Sequence, residues 1–250
     1  WCDWNSDVCS SDLSLGIALV RRGVPTTILE AGVYPRHRVC GEFISGVKSS
    51  TLENLGIADL FDDARRHETL TWRERGRLIH RARFPEPAIG ISRYLLDERL
   101  RQRFENAGGI LKTGNRSRPE TADGFVWAAG RRPQTGSWIG LKAHVRGIVM
   151  DADLEMHAGK NGYAGLAGIE NDWINVCGLF KIDRSIDAKN ADLLPAYLEA
   201  GGNTSLASLL RSCEWRAGSF SAVAGFELGR QPETPDRKST RLNSSHTIQS

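Results

Sequence analysis

A helical segment followed at once by a short strand and a carboxylate is the feature that most constrains how this chain can fold. Residues 14–22 show helical spacing of apolar side chains, and residues 26–29 form a short β-branched stretch that runs directly into Glu30. In a dinucleotide-binding βαβ unit, an acidic residue at the end of the second strand accepts hydrogen bonds from ribose hydroxyls. The order of these segments therefore predicts an α/β nucleotide-binding domain. On this feature alone, Glu30 is equally compatible with an ordinary surface glutamate at a strand end.

The segment Pro-Arg-His-Arg-Val-Cys-Gly-Glu-Phe, at residues 35–43, is a second candidate for ligand binding. Arg36 and Arg38 carry guanidinium groups of the kind that bind phosphate oxygens. Gly41 lets the backbone approach a ligand closely, and the neighbouring Cys40 is then a candidate for contact with a cofactor or substrate. On these residues alone, a solvated basic loop with a buried cysteine is the simpler interpretation.

The remaining apolar periodicities predict a mixed succession of helices and strands. Helices are expected at residues 47–60, 94–106, 191–200 and 205–212. Strands are expected at residues 69–73, 77–82, 124–128, 138–150, 154–157, 163–169, 173–180 and 218–228. The first two of these strands are expected to pair as a hairpin. The chain is thus predicted to pass from a nucleotide-binding pattern into a meander of antiparallel strands.

Composition and charge argue against several classes of protein. The formal net charge of +3 includes three cations close to the C-terminus, namely Arg237, Lys238 and Arg241. We therefore expect no nucleic-acid-binding patch. No apolar run approaches the roughly 18 residues that a membrane span needs.

Cysteine and histidine positions predict neither a disulfide framework nor a metal site. Cys40, Cys177 and Cys213 are widely scattered, as befits a reduced, cytoplasmic protein. Five histidines lack metal-ligand spacing and are expected to be structural or solvated: His37, His67, His80, His144 and His157. Trp138 and Trp173 are expected to pack within the sheet.

The two ends of the chain are related at the level of DNA. Residues 236–244 can be encoded by a string whose reverse complement, in a shifted frame, encodes residues 5–12 without a mismatch. Such an inverted repeat resembles a translated sequencing adapter, which does not contribute to a fold. We therefore expect residues 1–13 and 236–250 not to belong to the protein.

Six segments, in chain order, strongly resemble the geranylgeranyl-reductase-like FAD-dependent oxidoreductases, in the wider class that includes aromatic-ring hydroxylases and flavin halogenases. These segments read TILEAGVYPRHRVCGEFIS, SRYLLDERL, FVWAAGRRP, GLKAHVRG, GYAGLAGIE and NVCGLF. The resemblance implies an α/β fold in which a three-layer FAD/NAD(P)-binding domain is interleaved with an antiparallel substrate-binding sheet, both incomplete at the chain ends. The implied divisions are FAD-binding parts at 14–66 and 93–136, a substrate-domain hairpin at 67–92, and the substrate-binding sheet with helices at 137–235.

The resemblance also implies which residues bind FAD. They are Glu30, Ala31, Arg36, Arg38, Cys40, Gly41, Arg93, Ala129, Gly130 and Arg131. Glu30 is expected at the adenosine ribose and Arg93 at the pyrophosphate. The loop over residues 36–41 is expected beside the flavin, and the turn at 129–131 near the adenosine half. Cys40 is the only candidate for a catalytic side chain.

The implied activity is transfer of electrons from NAD(P)H through FAD to a C=C bond of a small organic substrate, isoprenoids included. Flavin-dependent monooxygenation is the alternative, and a non-catalytic nucleotide-binding module is the alternative of another class. A lipid substrate would imply peripheral contact with a membrane. Residues 163–167 match the reductase motif Tyr-x-Trp-x-Phe-Pro only faintly. The family's glycine-rich loop and its later Gly-Asp block are absent, so residues 1–250 alone are expected to fold incompletely, to retain no FAD and to be inactive.

Overall fold

The computed structural model describes residues 10–116, 122–126, 128 and 136–226, which form an α/β fold with two sheets of different size. The helices in these residues are α1 (Ser10–Val20), α2 (Ser49–Leu55), α3 (Arg93–Asn106), α4 (Leu193–Ala200) and α5 (Thr204–Ser212). The strands are β1 (Thr27–Leu29), β2 (Phe43–Ile44), β3 (Arg65–Glu74), β4 (Arg77–Gly90), β5 (Ile110–Lys112), β6 (Trp138–Arg146), β7 (Leu154–Gly159), β8 (Gly162–Gly168), β9 (Ile174–Lys181), β10 (Glu214–Trp215) and β11 (Ser221–Phe226). None of the helices within the described residues combines the length and the apolar character that crossing a membrane requires.

The smaller sheet joins β1 and β5 in parallel, and α1 and α3 pack against it. Helix α1 begins at Ser10, earlier than the predicted start at residue 14, and Leu13 and Ile17 are fully buried. Gly16 brings α1 close to its neighbours, since a Cβ there would lie 2.9 Å from side-chain atoms of both Ile28 and Phe104. This packing places the end of β1 beside the N-terminus of α3.

Two predicted elements differ from the observed structure in kind, whereas others, such as β4 and β6, differ only in where they end. The helix predicted at 47–60 is divided, because Gly56 adopts φ 73° and its N–H caps the end of α2; a short 3-10 helix follows at Ala58–Phe61. The strand predicted at 124–128 is absent from its described residues, 124–126 and 128. Gly124 adopts φ 78° there, and the Phe125 N–H donates to the Ala122 carbonyl, so the backbone turns instead of extending.

The larger sheet contains nine strands within the described residues, in the order β10-β6-β9-β8-β7-β3-β4-β2, with β11 also paired to β6. The predicted hairpin is confirmed as β3 and β4, which turn at Arg75 and Gly76, both with positive φ. The strands predicted after residue 137 to be antiparallel are confirmed as such in β6, β7, β8, β9 and β11. The hairpin joins them through β3, which pairs with β7 in parallel, so the sheet is mixed. Strands β3 and β4 precede α3 and β5 in the chain and β6 follows them, so the larger sheet takes strands from both sides of that segment in the sequence.

The two faces of the larger sheet are covered by different elements. One face packs against α4 and α5 in an apolar core. Its fully buried members include Leu141, Ala143, Val145, Ala164, Val176, Leu194, Leu198, Ala207 and Leu210. The opposite face, which we call the polar face, carries Lys142 and His144 of β6 and Asn175 of β9, and is covered by residues 34–46, which we call the covering loop.

Candidate functional site

Glu30 is fully buried at the end of β1 and gathers the first part of the covering loop around its carboxylate. Its Oε1 accepts a hydrogen bond from the Gly32 N–H at 2.7 Å, and its Oε2 accepts one from the Tyr34 hydroxyl at 3.3 Å. Burial, followed by the charges of Glu30 and Asp97, raises the pKa of Tyr34 above its usual range, so this hydroxyl remains a donor. The carboxylate that the sequence predicts at a strand end therefore lies inside the structure, where it organises the following turn.

Arg36 reaches the same carboxylate across a glycine. Its Nη2 lies 3.4 Å from Glu30 Oε1, and a Cβ added to Gly32 would lie 2.4 Å from Arg36 Nη1. Any side chain at Gly32 would displace this guanidinium. The side chain of Arg36 is 26% exposed, so it lies between the buried Glu30 carboxylate and solvent.

Arg38 links the strand end to α3. Its guanidinium lies 3.6 Å from Glu30 and 3.4 Å from Asp97, and its side chain is buried. Arg93, the first residue of α3, donates to both oxygens of Asp97 at 2.9 and 2.8 Å. Two carboxylates and two guanidinium groups thus alternate between β1 and the N-terminus of α3.

The N-terminus of α3 is fixed by a third buried carboxylate, that of Glu170. Ser92 Oγ caps the helix by accepting from the Leu95 N–H at 3.1 Å, and it donates to Glu170 Oε1 at 2.5 Å. The Ser92 N–H donates to the other oxygen of Glu170 at 2.9 Å. Because Glu170 follows β8, these bonds lock the helix that carries Arg93 onto the larger sheet.

Glu42 anchors the far end of the covering loop to the polar face. Its Oε1 accepts from Lys142 Nζ and from the Arg93 N–H, both at 3.0 Å, and its Oε2 lies 2.6 Å from His144 Nε2. Burial raises the pKa of Glu42, but the hydrogen bond from His144 and the charge of Lys142 outweigh it, so the net pKa lies below its ordinary value. Glu42 is therefore an ionised carboxylate in the interior.

His37 and Cys40 complete the contacts between the covering loop and the polar face. His37 Nδ1 lies 3.3 Å from Lys142 Nζ, and its ring stacks on Tyr94 with centroids 4.7 Å apart. Burial, Lys142 and His144 lower the pKa of His37 to about 4, so the neutral ring accepts the Lys142 hydrogen bond near pH 7. The Cys40 carbonyl accepts from Asn175 Nδ2 at 3.0 Å.

The structure places seven of the ten predicted cofactor-binding residues along one loop and helix end. Glu30, Arg36, Arg38 and Arg93 meet around the end of β1, and Ala31 follows directly. Cys40 and Gly41 lie further along, against the polar face; a Cβ at Gly41 would meet no described atom within 4 Å. The remaining three, Ala129, Gly130 and Arg131, lie outside the described residues.

Sequence reasoning missed the groups that tie the covering loop to the rest of the molecule. Asp97 stands four residues after Arg93, a helical pair spacing that could have been found. Glu42 lies inside residues 35–43, the segment that the sequence already indicates as a candidate for ligand binding. Lys142 was not singled out by the sequence, and His144 was expected only to be structural or solvated, since nothing in their spacing indicates a buried partner.

No protein-family model and no curated protein matches this sequence. The fold is nevertheless similar to solved flavoproteins. PqsL of P. aeruginosa, solved with 2-aminobenzoylacetate, has a TM-score of 0.63 at 10% identity, with 87% of this chain and 71% of that chain covered. The flavin-dependent brominase Bmp2 gives 0.65 at 13% identity, covering 87% and 65%. HpxO of Klebsiella pneumoniae, solved with FAD and uric acid, gives 0.63 at 12%, covering 87% and 66%. The chain thus spans about two thirds of the length of these proteins and shares their fold.

Proposed function

We propose that this chain is part of an FAD-dependent oxidoreductase that acts as a monooxygenase or hydroxylase on a small organic molecule. The observation that carries the proposal is the buried Glu30 carboxylate at the end of a parallel strand, with Arg36 and Arg38 beside it. A carboxylate in that position suits ribose hydroxyls, and guanidinium groups suit a pyrophosphate. The similarity in fold to PqsL, Bmp2 and HpxO supports the flavin-dependent class.

The residues present fit FAD by the chemistry of their donors and acceptors. Glu30 would accept from the ribose once Arg36, whose side chain reaches solvent, turns away from Oε1 towards phosphate oxygens. Arg93 would need to share its guanidinium between Asp97 and the pyrophosphate. Ala31 would lie beside the ribose, while Cys40 and Gly41 would face the flavin side of the cofactor. Ala129, Gly130 and Arg131 are proposed at its adenosine half.

When bound, FAD supplies the electron transfer and the activation of oxygen that side chains cannot supply. The chain itself binds and orients. The buried contacts of Glu42 with Lys142 and His144 hold the covering loop against the sheet and exclude water from beneath it. Cys40 is the thiol that we place next to the reacting ring, held by its carbonyl to Asn175.

Replacing Glu30 by alanine in the full-length protein tests the cofactor site. Loss of a charged acceptor for ribose hydroxyls costs about 1.5–3 kcal/mol, so FAD affinity should fall about tenfold or more. The measurement is titration of the quenching of FAD fluorescence. Glu53→Ala, at an exposed position on α2, is the matched control and should leave FAD affinity unchanged. Equal FAD affinity in the wild type and in Glu30→Ala, with thermal melting showing both folded, would remove Glu30 from the site.

Reduction of a C=C bond is the second candidate, favoured by the resemblance of residues 35–43 to geranylgeranyl-reductase-like flavoproteins. In both candidates we propose NAD(P)H as the reductant and a cytoplasmic location, with peripheral membrane contact if the substrate is a lipid. Oxygen consumption separates them: a monooxygenase consumes oxygen with NAD(P)H and substrate, whereas a reductase forms product under anaerobic conditions. A non-catalytic nucleotide-binding module would show no bleaching of flavin absorbance on addition of NAD(P)H.

A further inference from the structure

Arg216 lies at the rim of the polar face, directly after β10. Its N–H donates to the His144 carbonyl at 3.0 Å, which continues the pairing of β10 with β6 by one residue. Residues opposite each other in an antiparallel pair point to the same face of a sheet. Arg216 and His144 therefore share the polar face, and the partly exposed side chain of Arg216 stands where that face opens to solvent.

Two aromatic rings form the surroundings of this guanidinium. The Arg216 Cζ lies 5.6 Å from the ring centroid of Tyr94 and 5.9 Å from that of Trp173. Tyr94 belongs to α3 and Trp173 precedes β9, so the cation bridges the two halves of the fold. The ring of His37 stacks against Tyr94. We call the rings of Tyr94, Trp173 and His37 the platform. The rim thus offers flat apolar surfaces beside a partly exposed guanidinium group.

The charges at this rim do not cancel. Arg146, which also lies over Trp173, is paired with Glu214 at 2.6 Å, and the charge of Lys142 is balanced by Glu42 at 3.0 Å. Arg216 has no carboxylate within 4.0 Å among the described residues. Burial, and then the charges of Lys142, His144 and Arg216, lower the pKa of His37.

We propose that Arg216 binds the carboxylate, or an equivalent delocalised anion, of a planar aromatic substrate whose ring packs against Tyr94 and Trp173. A guanidinium fork donates two parallel hydrogen bonds to a carboxylate, and the aromatic rings limit the ring plane of the ligand. His37, neutral at pH 7, lines the same platform and imposes no competing charge. This assignment rests on the proposed function, because the rim lies where the sheet meets the covering loop, which we place beside the cofactor.

The test compares two fluorescent ligands of nearly equal shape, 2-aminobenzoate and its neutral analogue 2-aminobenzamide, bound to the full-length protein. We expect the carboxylate to bind at least about tenfold more tightly than the amide. Arg216→Gln should reduce this ratio to about one, and Arg216→Lys should retain part of it, because a point charge replaces the fork. Arg211→Gln, at an exposed arginine on α5 that pairs with Glu199, is the control and should keep the full ratio.

Equal binding of the two ligands by the wild type, or an unchanged ratio in Arg216→Gln, would overturn the inference. Thermal melting of each variant shows whether it is folded, and Arg216→Lys provides the reading if Arg216→Gln is not. FAD affinity is measured on the same samples. If the wild-type protein binds FAD but does not prefer the carboxylate, only the Arg216 assignment is overturned. If the wild-type protein does not bind FAD, the proposed function is overturned.

Discussion

The two faces of strand β6 are equally buried and chemically opposite. Leu141, Ala143 and Val145 are completely inaccessible and pack into the apolar core beneath α4 and α5. Lys142 and His144, the residues between them, are also completely inaccessible, yet they carry ionisable groups. A strand that alternates in this way normally has one face exposed to solvent. Here both faces are buried, because the covering loop covers the polar one.

The comparison shows what burial of each face depends on. The apolar face needs only neighbours of suitable volume, which α4 and α5 supply. The polar face needs a specific counter-charge, since an unpaired buried charge is strongly unfavourable. Glu42 supplies it from a loop that reaches across the sheet, and the same carboxylate accepts the first N–H of α3. One residue therefore couples the sheet, the covering loop and the helix that carries Arg93.

Glu42→Gln, in the covering loop, is expected to have the largest effect of the changes proposed around β6. It leaves Lys142 buried without its carboxylate, and breaking a buried pair costs about 3–5 kcal/mol. That is a large share of the roughly 5–15 kcal/mol that stabilises a domain. Urea unfolding measures the loss, and tryptic cleavage at Arg36 and Arg38 should accelerate as the covering loop lifts.

Two further variants sharpen that result. Glu53→Gln, at an exposed glutamate on α2, should change the free energy of unfolding by less than about 0.5 kcal/mol. Lys142→Met added to Glu42→Gln removes the orphaned cation and should recover part of the stability. If Glu42→Gln unfolds at the urea concentration of the wild type, the polar face is not held by this charge pair.

Leu141→Ala is expected to be the next largest, on the opposite face of the same strand. Deleting a fully buried leucine side chain costs about 2–5 kcal/mol through lost burial and the remaining cavity. In contrast to Glu42→Gln, it should not accelerate cleavage of the covering loop, because the apolar core lies behind the sheet. Val149→Ala, at a side chain that is 95% exposed, is the control. Rapid loop cleavage in Leu141→Ala would mean that the two faces are not independent.

The sequence predicted well what is local. The β3–β4 hairpin is confirmed because its turn, Arg75 and Gly76, lies within the segment that forms it. The carboxylate at the end of β1 follows from the order of one helix and one strand. The parallel pairing of β3 with β7 was not predicted, since it joins residues about 84 positions apart, as Leu70 does with Leu154, and no local pattern records such a partner.

The candidate site divides in the same way. Arg36 and Arg38 stand within one short segment, so their clustering with Glu30 could be expected from the sequence. Lys142 and His144 join the site through Glu42 and His37, which lie about 100 residues earlier in the chain. Alternation in a strand identifies which residues share a face, but it does not show whether water or a charged partner covers them.

His37→Gln is expected to have the smallest effect, and it tests the polar face through pH. The pKa of His37 is about 4 in the folded protein, against 6.5 for an ordinary histidine, because burial and the nearby Lys142 and His144 disfavour its charged form. Between these values the unfolded chain binds the proton more tightly, so stability is complete above pH 6.5 and declines as the pH falls towards 4. His37 is only partly buried, so we expect a contribution below about 1 kcal/mol after solvent screening.

Glutamine keeps an acceptor for Lys142 but does not titrate, so the free energy of urea unfolding of His37→Gln should depend less steeply on pH between about 4 and 6.5. The slope will not vanish, because burial also lowers the pKa of His67. His80→Gln, at an exposed histidine on β4, is the control and should keep the wild-type slope. If His37→Gln also kept the wild-type slope, the His37 ring would be in contact with water and would not be packed between the covering loop and the polar face.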